Sequence, residues 1–391
     1  MMADFVNEAQ QLFSYTQELR RDFHRFPELA FQEFRTAGIV ARELNKLGLE
    51  ISTGIGKTGV VALLEGEKPG PVVLLRFDMD ALPILEETGA PYASQTSGVM
   101  HACGHDGHTA IGLTVARMLQ SHREELAGTV KLVFQPAEEG LGGAESMMAD
   151  GVLQNPRPDY TLALHLWNEA PFGRISVTPG PVMAAADIFR IHVSGKGGHG
   201  AAPHLAFDPL LASAHVITTL QSIVARNISP LKSAVVSVTT IHGGEAFNVI
   251  PPHVKMEGTI RTFEAEVRTR LLERFYEIIQ SVAGGMGCQA EAEIIHITPP
   301  VINDPNITRQ VQKIARELLT DCELATDYRT MGSEDMAFMM QEIPGCYFFI
   351  GSANAERGLN YPHHHPKFDI DERALVHGSA LMAAAATNFL K

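Results

Sequence analysis

Cysteine is scarce in this chain. There are four in 391 residues, Cys103, Cys288, Cys322 and Cys346, and no two form a CxxC pair. That argues against a disulfide framework and points to a reducing compartment. Positive charge is also short: 31 Lys+Arg face 45 Asp+Glu, a net −14. A broad nucleic-acid face needs a basic patch, so nucleic acid is excluded as the expected partner. The same balance disfavours an anionic membrane surface. No apolar run approaches the ~18 residues of a membrane-spanning helix. The opening MMADFVNEAQ lacks the basic-then-apolar order of a secretory signal. The expected location is the cytoplasm. GxSxG, phosphate-loop and HExxH signatures are missing too, as are internal repeats. Against these shortages stand 17 histidines. Six lie in two short stretches, at 101–108 and 363–365.

Apolar spacing predicts helices over residues 4–48, broken at Pro27. Val60–Leu64, Val72–Phe77, Val130–Phe134 and Thr161–His165 read as buried strands, alternating with helices at Thr109–His122 and Gly143–Asp150. This order predicts an α/β fold, a sheet with helices on its faces. The middle reads as strand, helix, two strands, helix, strand between Asp187 and Ile297, the ferredoxin-like pattern. Pro179–Pro181 and Pro299–Pro300 bracket it. The expectation is a catalytic domain in two parts, 1–181 and 299–391, interrupted by an inserted α+β domain, 182–298.

The chemistry-bearing residues cluster where strands are expected to end. Asp78 and Asp80 follow one strand, an edge where open α/β sheets place ligand sites. A turn and helix cap would explain that pair equally well. MHACGHDGH packs His101, Cys103, His105, Asp106 and His108 into eight residues. Thiolate and imidazole so close together are a donor set for a borderline divalent metal such as zinc. Gly104 and Gly107 would let the backbone turn tightly there. QPAEEG ends another strand with Glu138 and Glu139. One would bind metal while the other takes a proton. His165 closes a fourth strand, and one of His363, His364 and His365 would complete the site. Five donors with one bridging group suit two metals ~3.5–4 Å apart.

DMDALP, MHACGHDGH, FQPAEE, GKGGHGAAPH, NVIP, GTIR, MGSED and HHPKFD, in this order, resemble the co-catalytic metal amidohydrolases. The matching branch holds hippurate hydrolase, bacterial N-acyl-amino-acid amidohydrolases and plant indole-acetyl-amino-acid hydrolases. The resemblance covers residues 15–390. It implies a mixed-sheet catalytic domain covered by helices, with the insert as lid and dimerisation domain. It implies Cys103, His105, Glu139, His165 and His364 as ligands of two divalent ions (Zn, Mn, Co or Ni). Glu138 would be the general base and then acid, and Asp80 would orient a ligand. His199 would donate to the substrate carbonyl, from its own or a partner subunit. Asn248 and Arg261 would hold the substrate carboxylate, with Gly332, Ser333 and Glu334 lining the pocket. The family's usual HxD motif begins here with Asp78 instead of His.

The function so implied is hydrolysis of a small anionic N-acyl amino acid to a carboxylate and a free amino acid, by a homodimer or higher homo-oligomer. A small-peptide carboxypeptidase or dipeptidase, or a deacetylase of N-acetyl-diamino acids, would use the same site. A non-catalytic metal-binding dimer is the rival from another class.

Overall fold

The computed structural model describes residues 4–390; residues 1–3 and 391, at the ends of the expected first and last domain segments, lie outside the described residues. The described chain forms two units. The larger runs through Val182, resumes over Ile302–Arg329 and continues from Asp335. The smaller comprises Met183–Val301 and Thr330–Glu334. Most of the MGSED segment thus groups with the insert, although it lies far downstream in sequence.

The larger unit is built on an eight-stranded mixed sheet. Its four central strands, in the order Ala127–Gln135, Lys68–Asp78, Tyr160–Pro171 and Gly345–Ala353, are parallel. Strands Gly59–Glu65 and Glu50–Ile55 extend one side in antiparallel fashion. Burial on both faces explains why the central strands read as unbroken apolar runs. Leu75, Phe77, Leu132, Phe134, Leu162 and Phe348 belong to one core with Ile111, Val115 and Leu381. The last three lie on the helices His105–Ser121 and Ala374–Phe389, which pack on the sheet and on each other. The parallel register brings the carboxyl ends of Lys68–Asp78 and Ala127–Gln135 level, with Asp78 opposite Gln135.

The metal-motif helix begins at His105, four residues before the position that periodicity predicts. Polar His and Asp mask its first turn in the sequence. Gly104 supplies the reversal into it at φ 93°, where a Cβ would be strained. Gly107 does not turn the chain; it is a residue of that first helical turn.

The smaller unit is a four-stranded antiparallel sheet in the order Ala234–His242, His253–Thr262, Ala185–Ser194, Gln289–Thr298. Helices Pro209–Ser222 and Ala265–Gly285 cover it. This is the ferredoxin-like order expected from the sequence. In His253–Thr262 buried and more exposed residues alternate strictly, as one-sided packing demands. Phe189, Ile191, Val193, Leu220, Phe275 and Ile279 fill the space between sheet and helices.

Candidate metal centre

The strand ends of the larger unit gather the predicted donors. Cys103, His105 and His165 offer ligand atoms within 4.8 Å of one another, and so do Cys103, Glu139 and His364. Cys103 belongs to both groups, the arrangement a bridging donor requires. His105, Glu138 and Glu139 form a further group.

Hydrogen bonds fix what each imidazole can do. His105 donates from Nδ1 to the Asp80 carbonyl at 3.0 Å, and its Nδ1 is 3.3 Å from Asp80 Oδ1. His165 donates from Nδ1 to the Leu166 carbonyl at 2.7 Å. In both rings Nε2 is left to carry the lone pair. His165 Nε2 lies 3.6 Å from the Cys103 sulfur. His105 Nε2 is buried without a hydrogen-bond partner, and buried Glu139 Oε1 has only His364 Nε2 near it, at 3.3 Å. Orphaned buried polar atoms are costly unless something occupies the space between them. This donor set fits a pair of divalent ions, and oriented imidazoles of this kind are the usual form of metal-binding His.

The electrostatics make the same demand. Burial opposes charge on His105, but Asp78, Asp80 and Glu139 outweigh it and raise its pKa to about 10. The surroundings therefore call for positive charge at Nε2, which a metal ion would satisfy. Burial, then the carboxylates of Glu139, Glu138 and Asp78, hold the Cys103 thiol well above its ordinary range. A cation would reverse that and give the thiolate a metal needs.

Asp80 also accepts from the Glu139 backbone N–H at 3.0 Å, so it orients one imidazole and one ligand loop together. Asp78 is fully engaged. It accepts from Arg76 at 2.6 Å and from His108 Nδ1 at 2.6 Å. His108 Nε2 in turn accepts the Leu166 N–H at 2.8 Å. His108 thus ties two strand ends together and has no lone pair to spare for a metal. His101 lies toward His24, 6.4 Å between ring centroids, and stands in none of the donor groups.

The three consecutive histidines separate cleanly. His363 packs beside Trp167 and donates to the Leu166 carbonyl at 3.1 Å. His365 stacks on Tyr361 and accepts the Lys367 N–H. His364, in the left-handed region at φ 64°, brings Nε2 to 3.3 Å from Glu139 Oε1.

Several residues around the centre carry little or no sequence signal. Arg76, buried in its strand, bonds Gln135, Asp78 and Asp335. Arg20 is wholly buried and paired with Asp106, Asp369 and Glu372. A charge inside the apolar run VVLLRFD was the one available hint for Arg76.

The smaller unit holds the remaining candidates. His199 lies on a two-residue strand paired with Val249–Ile250. Its Nδ1 accepts the Ala201 N–H at 3.0 Å, so the neutral ring carries its proton on Nε2. Asn248 adjoins it, its carbonyl accepting the Gly200 N–H at 2.8 Å. Arg261 donates to the Ile260 carbonyl at 3.1 Å and to the Thr259 hydroxyl. Burial lowers its pKa, and among the described residues no carboxylate is ion-paired with it. Gly332 accepts the Ala184 N–H at 2.9 Å, placing the Gly332–Ser333 segment beside the start of strand Ala185–Ser194.

A clustered Cys/His/Glu donor set at the carboxyl edge of a parallel sheet, with an acidic residue among the donors, defines a metal-dependent hydrolase. The sequence profile described as peptidase family M20/M25/M40 matches residues 74–388, and the chain belongs to that family. It is similar to thermostable carboxypeptidase 1 of Saccharolobus solfataricus, 39% identical over 387 residues, 98% of this chain and 97% of that one. It is also similar to N-acetyl-L-cysteine deacetylase of Bacillus subtilis, 39% identical over 372 residues, 95% of this chain and 87% of that one. Among solved structures, the Bacillus subtilis YxeP protein, described as a dinuclear metal-binding peptidase of the M20 family, superposes with a TM-score of 0.85. It shares 36% identity, covering 97% of this chain and 99% of that one. Among the described residues no helix is long and apolar enough to cross a membrane.

Proposed function

We propose that this enzyme hydrolyses the amide bond of small N-acyl amino acids, releasing a carboxylate and a free amino acid. The observation that carries the reading is Cys103, common to two donor groups, with Glu138 grouped beside the donors His105 and Glu139. Cys103, His105, Glu139, His165 and His364 would hold two divalent ions. Bound there, such ions polarise a carbonyl and make a water more acidic. Glu138 takes the proton of the attacking water and returns it to the leaving nitrogen. Asp80 holds His105 in the tautomer that leaves Nε2 bare. His199, protonated on Nε2, donates to the carbonyl oxygen as it gains charge. Arg261, which makes no ion pair among the described residues, takes the substrate carboxylate together with Asn248, and the Gly332–Ser333 segment lines the pocket.

The insert, residues 182–298, serves as lid and dimerisation domain in this reading. Strand Ala234–His242 is an edge strand of its sheet. Leu210, Leu211 and Phe247 are exposed in the same unit. An open edge beside exposed apolar side chains suits a second copy of the chain.

A carboxypeptidase on small peptides is the second reading, favoured by the similarity to a thermostable carboxypeptidase. N-benzoyl and N-acetyl amino acids, dipeptides and N-acetyl-diamino acids, each assayed with zinc, manganese, cobalt or nickel, separate the two. Turnover of acyl amino acids well above dipeptides is expected. The reverse order establishes the peptidase, and no amide hydrolysis with any metal removes both.

A further inference from the structure

The loop that carries Glu138 and Glu139 has little regular structure of its own. It leaves strand Ala127–Gln135 and enters the helix Gly143–Ala149. Ala137, immediately before the general base, lies at φ 54°, in the left-handed region that a residue with a Cβ rarely adopts. Such a conformation persists only where its surroundings over-determine it.

The surroundings here are carboxylates from distant parts of the chain. Glu33 is wholly buried. Its Oε1 accepts the Ala137 N–H at 3.0 Å and the Phe31 N–H at 3.0 Å. Its Oε2 accepts the Thr58 hydroxyl. No Lys, Arg or His pairs with it among the described residues, so its oxygens are committed to these donors. On the other side of Glu138, Asp80 accepts the Glu139 N–H at 3.0 Å. The residues on either side of the base therefore each donate their backbone N–H to a buried acid. The Ala137 carbonyl accepts the Gly143 N–H at 3.1 Å and closes the loop. Gly143 tolerates no side chain, because a Cβ would stand 1.7 Å from the Pro136 carbonyl oxygen.

We propose that Glu33 is a positioning residue for the hydrolysis: its carboxylate holds the Ala137 amide in the left-handed turn and so sets the direction in which Glu138 points. This rests on the reading of Glu138 as the general base. Glu33 touches neither substrate nor metal, and its effect passes through one backbone hydrogen bond. Proton transfer depends steeply on placement, and a displacement near 1 Å can cost about a hundredfold in rate.

The test compares Glu33→Leu, which keeps bulk but has no acceptor, with Glu33→Gln, which keeps an acceptor oxygen for Ala137. Steady-state kinetics, metal content per chain and hydrogen–deuterium exchange of the 134–144 segment are measured on each. The leucine variant is expected to lose about tenfold to a hundredfold in kcat. Its KM and its metal content should stay within twofold of the parent, while amide protection in the segment falls. The glutamine variant should recover most of both kcat and protection. A leucine variant with parental kcat overturns the proposal. So does a glutamine variant as impaired as the leucine one, or a loss of activity that only tracks lost metal. If the leucine variant does not fold, Glu33→Asp decides, since it draws the acceptor back by one methylene. Lowered kcat with unchanged KM is then expected, and unchanged kcat overturns. The exchange measurement needs no substrate. A clamp seen by exchange in a protein without amidohydrolase activity would indict the functional reading and leave the clamp standing.

Discussion

The same side chain is prepared for opposite tasks in the two units. In the larger one, His105 and His165 each donate from Nδ1 to a backbone carbonyl, which leaves Nε2 a bare lone pair. In the smaller one, His199 accepts a backbone N–H at Nδ1, which puts the proton on Nε2. One arrangement suits a metal ligand and the other a hydrogen-bond donor. The arginines divide in parallel. Arg20 and Arg76 are buried and ion-paired with carboxylates, whereas Arg261 makes no ion pair among the described residues, Asp187 being the acid whose charge it feels. The larger unit spends its polar groups on one another to hold a rigid donor set. The smaller one also pairs charges, as Asp187 with Arg268 and His296, but it leaves His199 Nε2 and the Arg261 guanidinium outside those ion pairs.

That contrast is best broken at the residue that bridges it. Glu138 sits among the donors yet is assigned to proton transfer, so Glu138→Ala should cost about 10²–10⁴ in kcat with metal content intact. Near-normal turnover with full metal occupancy, measured by elemental analysis, would sink the mechanism. Next comes the interlocked network. Arg20→Met leaves Asp106, Asp369 and Glu372 without their shared cation. Stripping one partner from a buried ion pair costs roughly 3–5 kcal/mol, read from denaturant midpoints. An unchanged midpoint would mean that the network is not load-sharing with the metal helix.

The paired histidine variants sharpen the comparison directly. His199→Ala should lower kcat by about 10²–10³, the scale of a lost oxyanion donor, and leave metal content unchanged. His105→Ala should release metal. If both variants lose metal alike, the division of labour between the units fails. The smallest effect concerns pH. Burial and Arg20 oppose a charge on His24, but hydrogen bonds to Asp106 and Glu86 outweigh them and raise its pKa from 6.5 to about 9. The folded state then holds a proton that the unfolded state has released, so between these two values stability falls as pH rises. The contribution is complete below pH 6.5 and gone above about 9. Melting temperatures across that window should decline more steeply for the parent than for His24→Gln, and equal slopes would exclude His24 as the source.

Much of this was readable from the chain alone. MHACGHDGH and QPAEEG announce themselves because their donors are packed within a few residues and follow apolar runs that must be strands. The insert declared itself through its order of strands and helices. Other parts left no trace. Glu33 reaches Ala137 across 104 positions and Arg76 reaches Asp335 across 259. No local pattern encodes such a meeting. The start of the metal helix was hidden for a related reason: His105 and Asp106 look like loop residues until the tertiary contacts of Asp106 with Arg20 and His24 bury them.

Composition and order by themselves determined the class of fold, the lack of an apolar run long enough for a spanning helix, and the residue types available for a metal. They determined these because apolar periodicity and donor chemistry are local properties. Only the tertiary structure decided which nitrogen of each imidazole is bare and which of three adjacent histidines stands beside Glu139. It alone turned Asp78 and His108 into a brace. Those outcomes depend on which carbonyl, amide or carboxylate the fold brings within about 3 Å, the range in which a hydrogen bond forms.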